Sequence, residues 1–166
     1  MCWSNLWPAN NRSERFTKRP QQAVGLNSGV TVIAYLSIKS PYGDVTLFEE
    51  NDALVALEWG RSPGGQKTPL LLEAQKQLGA YFDGNLSRFD LPLAAQGTPF
   101  YKRVWAHMLK ISYGQVETYG EVATKIGSAC RAVGCACGRN PIPIIVPCHR
   151  IVGAGGRLTG YSGADG

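Results

Sequence analysis

Cys148 and His149 are the adjacent residues of this chain whose types are best suited to chemistry. They lie in the tetrapeptide Pro147–Arg150, directly after the apolar run Ile142–Val146. The thiolate is the nucleophilic form of cysteine, and a neighbouring imidazole or guanidinium group favours it. The alternative is a structural cysteine, because free cysteine is among the most buried residue types. The pair by itself leaves both interpretations open.

The composition indicates a soluble globular protein. The chain has 166 residues, 44% of them hydrophobic, which is enough for one ordinary domain or two small ones. It shows neither a secretion signal nor an apolar stretch near the roughly 18 residues that span a bilayer. Five cysteines are an odd number, which argues against a disulfide framework. We therefore expect reduced thiols, a cytoplasmic location and no membrane association.

Positive charge is concentrated in the half of the chain that carries Cys148. Residues 1–92 hold nine Lys and Arg against nine Asp and Glu, whereas residues 93–166 hold eight against three. A basic domain of this kind is typical of a protein that binds a phosphate backbone. An ordinary solvated basic face would have the same composition.

The first half of the chain predicts a flexible leader followed by a small β/α domain. Residues 1–29 are polar and interrupted by Pro and Gly, whereas residues 30–92 contain three β-rich runs that fit an antiparallel meander. Thr68 and Pro69 then begin a helix that ends at Asp83-Gly84-Asn85. No catalytic constellation is visible in this half. The predicted strands cover residues 30–38, 45–49 and 54–59.

The second half, residues 93–166, predicts a helical domain. Thr98-Pro99 begins a helix expected to end near Tyr113-Gly114, on which His107 is interpreted as a packed or solvated residue. Thr118 with Glu121 has the form of a capping box. The short helix that follows closes at Gly127, and a second helix is expected from about residue 128 to 137. Two short helices joined by a tight glycine turn indicate a helix-turn-helix.

The second of these helices consists almost entirely of small residues, with Arg131 as its one long side chain. A helix that reads the major groove normally presents several long polar side chains, so this one is poorly suited to reading sequence. Small residues allow close approach to a minor groove, with a single arginine available to enter the base stack. A helix packed closely against its protein neighbours is the alternative interpretation.

The segment Asn140–Gly163 closely resembles the active-site segment of the O6-alkylguanine-DNA alkyltransferases, also called methylated-DNA:protein-cysteine methyltransferases. The resemblance covers about residues 37–163. It implies an α/β (α+β) protein with a ribonuclease-H-like N-terminal domain and a C-terminal helix-turn-helix domain of the winged-helix type. Its further motifs are Gly97–Phe100, Val104-Trp105, Tyr113-Gly114, Thr118–Glu121 and Arg131–Gly134.

The resemblance implies a single-turnover repair reaction on double-stranded DNA containing O6-alkylguanine. The alkylated nucleotide is extruded from the duplex, and its alkyl group passes to cysteine, which is consumed. No cofactor and no metal are expected, and the protein is expected to act as a monomer. The residues carried over as catalytic are Cys148 as acceptor, His149 as base, Asn140 as the brace of the cysteine turn, and Tyr119.

Matching positions also imply a DNA-binding surface and a base pocket. Arg131 is expected to intercalate where the base was, and Tyr119 is expected to rotate the nucleotide and to hydrogen-bond the base. Ile151 is expected to offer its backbone carbonyl to the exocyclic amine of the base. The DNA-binding positions are Arg131, Tyr119, Ala132 and Gly134, and the pocket positions are Pro143, Ile151, Tyr161 and Ser162.

Three departures from the family pattern leave alternatives open, namely a shortened turn between Gly127 and Arg131, three extra thiols and the chain end. The chain ends at Ala164-Asp165-Gly166, where the family continues into a helix whose glutamate orients the histidine, so Glu117 or Glu121 is considered as a substitute. A damage-sensing module that binds alkylated DNA without transfer is a second hypothesis. A third is a zinc site, but the cysteine spacing does not match the paired C-x2-C pattern. That site would use the thiols Cys130, Cys135, Cys137 and Cys148 with His149.

Overall fold

Three antiparallel strands in the order β1-β2-β3 form the N-terminal sheet. The computed structural model describes residues 33–157, so the predicted leader at residues 1–29 and the expected strand start at Val30 lie outside it. Asn51 and Asp52 both have positive φ, which is the requirement of a two-residue type I′ hairpin turn. The predicted meander is confirmed. Its strands are β1 (Ala34–Ser40), β2 (Gly43–Glu50) and β3 (Ala53–Trp59).

Helix α1 (Pro69–Phe82) contacts β1 and β2 through its apolar stripe. The Thr68 hydroxyl accepts a hydrogen bond from the Leu71 amide at 3.1 Å, and it also donates to the buried carboxylate of Glu49. The predicted N-cap and the predicted end at Asp83 are both confirmed. The stripe that covers the sheet consists of Leu71, Ala74 and Leu78, which are fully buried.

Helix α2 (Pro99–Met108) begins as expected, with the Thr98 hydroxyl accepting from the Tyr101 amide. It ends earlier than expected, because the amides of Lys110 and Ile111 bond three residues back rather than four. Ile111 is nevertheless buried, as its place in the apolar pattern predicts. The apolar period therefore continued past the point where the helical hydrogen bonds stopped.

The helix-turn-helix consists of α3 (Tyr119–Ile126) and α4 (Cys130–Gly138), preceded by the short strand β4 (Glu117–Thr118). Both hydrogen bonds of the predicted capping box are present, and Gly127 adopts the left-handed conformation that ends α3. The second helix starts later than expected. The Ser128 amide bonds to the Ala123 carbonyl and so belongs to the closure of α3.

The two halves of the chain share backbone hydrogen bonds and one hydrophobic core. The Leu57 amide of β3 donates to the Pro141 carbonyl at 2.9 Å, and Leu54 pairs with Leu93. A final strand, β5 (Ile151–Val152), runs parallel to β4. The segment around Cys148 is therefore attached to the sheet on one side and to the helix-turn-helix on the other. None of the helices within residues 33–157 has the length and apolar character to span a bilayer.

Candidate active site

Cys148 begins a single 3-10 turn, Cys148–Arg150, that follows a tightly braced loop. The Asn140 side-chain amide donates to the Val146 carbonyl at 2.8 Å, and the Cys148 backbone amide donates to the same carbonyl at 2.9 Å. The Asn140 side-chain oxygen accepts from the Ile142 amide at 3.1 Å. Asn140 thus closes the loop that sets the position of Cys148, which is the geometry of the expected brace.

The same loop contains a strained backbone position. Ile144 has φ of 73°, a left-handed conformation that is rare for a β-branched residue. Its loop is held from both ends, because the Val146 amide bonds to the Ile142 carbonyl at 2.9 Å. Strained positions of this kind persist where surrounding contacts determine the backbone, and they cluster at functional sites. The strain lies four residues before Cys148.

Cys148 is only 8% exposed and lies close enough to Tyr119 and Cys137 to affect both electrostatically. Burial, together with the nearby thiols of Cys137 and Cys148, raises the pKa of Tyr119 to about 12. Burial, with the proximity of Cys148, raises the pKa of Cys137 to about 12. Tyr119 is therefore a neutral hydroxyl and Cys137 a neutral thiol near pH 7. The structure brings together Asn140, Tyr119 and Cys148 as the sequence indicated.

His149 is half-buried, and its Nε2 atom lies 3.3 Å from the hydroxyl oxygen of Tyr81. Burial first, and then the charge of neighbouring Arg150, lower the pKa of His149 below its ordinary value. The Arg150 guanidinium donates to the Ile111 carbonyl at 2.6 Å and lies 5.7 Å from the centre of the Tyr113 ring. The imidazole is thus a neutral group next to a fixed cation, directly after Cys148.

The two glutamates considered as substitutes for a histidine-orienting carboxylate are bonded to other groups. Glu117 accepts from His107 at 2.8 Å and from Lys125 at 2.9 Å. Glu121 accepts from the amide and the hydroxyl of Thr118, within the capping box. That suggestion was wrong, because β4 and the start of α3 direct both carboxylates into local contacts of their own.

Helix α4 has one buried face and one exposed face. Val133, Ala136 and Cys137 are buried, and the Trp105 indole nitrogen donates to the Ala136 carbonyl at 2.9 Å. Arg131, in the first turn, is exposed. One side of the helix thus packs in the core, as the alternative interpretation expects, while the other side faces solvent, and its approach to a minor groove stays a prediction. The remaining predicted DNA-binding positions of this helix, Ala132 and Gly134, are half-buried.

Tyr119 lies against this helix beside Gly134. A Cβ atom added to Gly134 would lie 3.9 Å from the Tyr119 ring, in ordinary van der Waals contact. Tyr119 itself is the first residue of α3 and is half-buried. The ring therefore lies between the two helices of the helix-turn-helix and the Cys148 turn.

The predicted pocket residues are only partly within the described structure. Pro143 is half-buried in the braced loop, and Ile151 is buried in β5, paired with Glu117. Tyr161 and Ser162 lie outside the described residues, as does the end of the chain.

The four cysteines within residues 33–157 are distributed in two environments. Cys130 and Cys135 are exposed, whereas Cys137 and Cys148 are buried. Within residues 33–157, no group of three or more His, Cys, Asp and Glu side chains is placed to hold a metal ion. The hypothetical zinc ligands therefore do not converge in this part of the chain.

Tyr81 is the site residue that sequence reasoning missed. It lies at the end of α1, in the half of the chain where no catalytic constellation was visible, and 68 positions before His149. The one available signal was an aromatic residue with a polar tip at the end of an amphipathic helix, followed directly by Phe82. That signal is shared by many tyrosines with purely structural roles.

The fold and the site together define an α/β protein in which a buried cysteine, followed by a histidine, lies beside the helix-turn-helix of a basic domain. Residues 33–95 match the ribonuclease-like domain of 6-O-methylguanine DNA methyltransferase, and residues 99–166 match its DNA binding domain. The chain belongs to the 6-O-methylguanine DNA methyltransferase family.

Relatives of this family cover most of the chain. The methylated-DNA–protein-cysteine methyltransferase of Mycobacterium tuberculosis is 44% identical over 146 residues, which is 80% of this chain and 86% of the relative. The constitutive enzyme of that name from Bacillus subtilis is 39% identical over 143 residues, covering 78% and 87%.

Crystal structures of the mycobacterial protein are similar to this structure. The O6-methylguanine methyltransferase of Mycobacterium tuberculosis superposes with a TM-score of 0.71 at 43% identity, covering 80% of this chain and 86% of that one. The structure described as Mycobacterium tuberculosis OGT in complex with DNA has a TM-score of 0.70 at 45% identity, with 76% and 83% covered. The predicted two-domain fold is confirmed by this similarity.

Proposed function

We propose that this chain repairs DNA by transferring an alkyl group from O6 of guanine to the sulfur of Cys148. As a member of its family, the chain is a DNA-repair methyltransferase that transfers the methyl group to a protein cysteine. The observation that carries the assignment to Cys148 is its burial in a braced turn next to a histidine and beside the helix-turn-helix. Cys130 and Cys135 have no such surroundings, because both are exposed on the outer side of α4.

The transfer is a displacement at a saturated carbon. The bond between the Cys148 sulfur and the alkyl carbon forms as the bond between that carbon and O6 breaks. The guanine keeps the bonding electrons and takes up one proton from its surroundings, while the thiol proton goes to His149, which then releases it to solvent. A thioether has no leaving-group chemistry that would regenerate the thiol, so each protein molecule reacts once. The reaction balances without a cofactor.

His149 is assigned as the base that removes the thiol proton. Its lowered pKa supports this role, because the imidazole stays neutral and can accept a proton at neutral pH. Asn140 is assigned as the brace of the acceptor turn, since it shares the Val146 carbonyl with the Cys148 amide. Loss of that brace leaves the nucleophile less precisely placed, which lowers the transfer rate.

Tyr119 is assigned to the flipped base and to the DNA backbone. A hydroxyl whose pKa is about 12 remains protonated and can donate a hydrogen bond throughout the physiological range. Its ring lies against α4 at Gly134, so a nucleotide at this point would contact Tyr119 and α4 together. Pro143 and Ile151 line the base pocket in this proposal, with Tyr161 and Ser162 beyond the described residues.

Arg131 is assigned as the side chain that fills the gap left by the flipped nucleotide. It is exposed at the start of α4, where Ala132 and Gly134 allow the helix backbone to approach a minor groove. The partner is double-stranded DNA containing O6-alkylguanine, bound by one copy of the chain. We assign the activity to the cytoplasm, where a thiol acceptor stays reduced.

Mass spectrometry tests the acceptor. The protein is incubated with a duplex oligonucleotide containing one O6-methylguanine, and the digested peptides are weighed. We expect one added methyl group on the peptide that contains Cys148, no addition in Cys148→Ser, and the same addition as wild type in Cys137→Ala. A methyl group on Cys137 would overturn the assignment. Binding of the alkylated DNA without any mass increase would favour the damage-sensing hypothesis instead.

A pair of arginine variants tests the intercalating role. Arg131→Ala should slow transfer more on a fully paired substrate than on one where the O6-methylguanine is mismatched, because unpairing is easier there. Arg139→Ala, an exposed change at the other end of α4, should weaken DNA binding without that discrimination. Equal slowing of both substrates by Arg131→Ala would exclude the proposed role.

A further inference from the structure

The N-terminal half of the chain reaches the candidate active site through the hydroxyl of Tyr81. This hydroxyl lies 3.3 Å from Nε2 of His149, although the two residues are 68 positions apart. We propose that Tyr81 is a positioning residue, which accepts a hydrogen bond from Nε2 of His149 and so fixes the imidazole tautomer that deprotonates Cys148. This inference rests on the proposed role of His149 as the base.

Packing fixes the position of the Tyr81 ring. Its ring centre lies 4.9 Å from that of Phe89 and 6.1 Å from that of Phe82. The Tyr113 ring meets it edge-on, at 5.9 Å and an interplanar angle of 89°. Pairs at these distances and angles are favourable beyond their burial. The ring is therefore held by neighbours from both halves of the chain.

Arg150 links this aromatic cluster to the catalytic turn. Its guanidinium lies 5.7 Å from the centre of the Tyr113 ring and donates to the Ile111 carbonyl at 2.6 Å. Arg150 directly follows His149, so the backbone of the turn is anchored close to the imidazole. Tyr81 fixes one ring nitrogen of His149, while Arg150 and Tyr113 fix the turn that carries it.

The Tyr81 hydroxyl can donate or accept, so the tautomer is selected by the proposed role of His149 as the base. A neutral imidazole has one N–H donor and one acceptor nitrogen, and the bond made by one nitrogen determines the task of the other. If Nε2 carries the hydrogen and donates to the Tyr81 oxygen, Nδ1 is the nitrogen that can accept the thiol proton. A carboxylate in this position would raise the proton affinity of the ring. A neutral hydroxyl orients the ring without that effect.

The direct experiment replaces Tyr81 with phenylalanine, which keeps the ring and removes the oxygen. Single-turnover transfer from an O6-methylguanine duplex should slow by about tenfold, the effect of one hydrogen bond of ordinary strength. Thermal unfolding and affinity for the duplex should match wild type. The control is Tyr35→Phe, which removes a hydroxyl bonded to the Pro63 carbonyl on the N-terminal sheet. Transfer by that variant should equal wild type.

Nitrogen-15 NMR of the imidazoles reports which ring nitrogen carries the hydrogen. If Tyr81 had a purely structural role, its replacement would leave that signal unchanged. The chain has two histidines, so His107 serves as an internal reference. Nε2 of His149 should be fully protonated in the neutral ring of wild type, whereas Tyr81→Phe should show a mixture of tautomers. The His107 signals should be unchanged. An unaltered His149 spectrum in Tyr81→Phe would overturn the inference.

A double-mutant cycle separates this inference from the proposed function. If Tyr81 acts through His149, then Tyr81→Phe should have no further effect on transfer in a His149→Gln background. An undiminished tenfold loss there would mean that Tyr81 acts by another route and would overturn the inference. If His149→Gln itself transferred at the wild-type rate, the assignment of the base would fail first.

Discussion

The two histidines of this chain are both bonded through Nε2, yet their surroundings differ in charge. His107, in the last turn of α2, meets the carboxylate of Glu117 at 2.8 Å, and Lys125 bonds to the other carboxylate oxygen. His149 meets the neutral hydroxyl of Tyr81 and is followed by the cation of Arg150. An identical side chain is thus set in two opposite electrostatic environments, both of them half-buried.

The difference explains why one histidine is structural and the other is suited to proton transfer. His107, Glu117 and Lys125 join α2, β4 and α3, so their bonds hold elements of the helix-turn-helix domain together. Burial would raise the pKa of Glu117, but the hydrogen bonds and charges of His107 and Lys125 outweigh it and lower the pKa. At His149, burial and a neighbouring cation oppose protonation instead. The partner, rather than the imidazole, therefore determines the role.

Exchanging each histidine for glutamine should give the largest contrast. His149→Gln should lower the single-turnover transfer rate by about 10²- to 10⁴-fold, which is the usual contribution of a general base. His107→Gln should leave the rate within about twofold, because its contacts lie in the packing of the domain. The rates are measured by mixing each variant with an O6-methylguanine duplex and quenching the reaction at successive times. Comparable losses in both variants would remove the distinction between the two histidines.

Neutralising the carboxylate beside His107 should affect stability rather than transfer. Glu117→Gln should lower the free energy of unfolding at pH 7 by about 1 kcal/mol, because two charge-assisted hydrogen bonds are weakened. Since the folded pKa of Glu117 lies below its unfolded value, this stabilisation is present above the ordinary carboxyl range and is lost as the pH falls through the folded value. Urea unfolding at several pH values measures the difference.

A matched control for that variant lies on α1. Glu73→Gln removes a charge from a largely exposed i,i+3 pair with Lys76, whose atoms are 3.7 Å apart. Exposed ion pairs contribute little to stability, so the free energy of unfolding should hardly change. If Glu73→Gln lowered the free energy of unfolding as much as Glu117→Gln, the half-buried network around His107 would stabilise the fold no more than an exposed ion pair does.

Removing the cation beside His149 should give the smallest effect. Arg150→Met should raise the pKa of His149 part of the way toward its ordinary value, because burial still opposes protonation, whereas Arg150→Lys keeps the charge and should shift it less. The groups near the ring are Tyr81 from α1 and Cys148 and Arg150 from its own turn. NMR titration of the imidazole provides the measurement.

The sign of the accompanying rate change can be stated. In wild type the folded pKa is lowered, so His149 remains a neutral base as the pH falls through the ordinary histidine range. In Arg150→Met, protonation begins at a higher pH, and transfer near pH 6 should fall relative to transfer at pH 8. An unshifted titration in Arg150→Met would show that burial alone lowers the pKa.

Local chemistry explains which parts of the fold could be read from the sequence. Thr68-Pro69, Thr98-Pro99 and the Thr118–Glu121 box each contain their cap and its target within three residues, and all three helix starts are confirmed. Helix ends were less accurate. The apolar period continues to Ile111, although the helical hydrogen bonds of α2 stop at Met108, because a buried side chain can be placed equally well by a turn.

The sequence by itself identified Cys148 and His149 as candidates for chemistry, and it also determined the small-residue helix after the glycine turn and the basic half of the chain. Each depends on residues near one another in the chain or on composition. Only the tertiary structure decided which group meets His149. Sequence reasoning considered Glu117 and Glu121, but their own neighbours hold both carboxylates, whereas Tyr81 arrives from a distant helix. Hydrogen-bond partners across a core depend on how whole elements pack. No local sequence pattern encodes which residue of a distant helix will meet the imidazole.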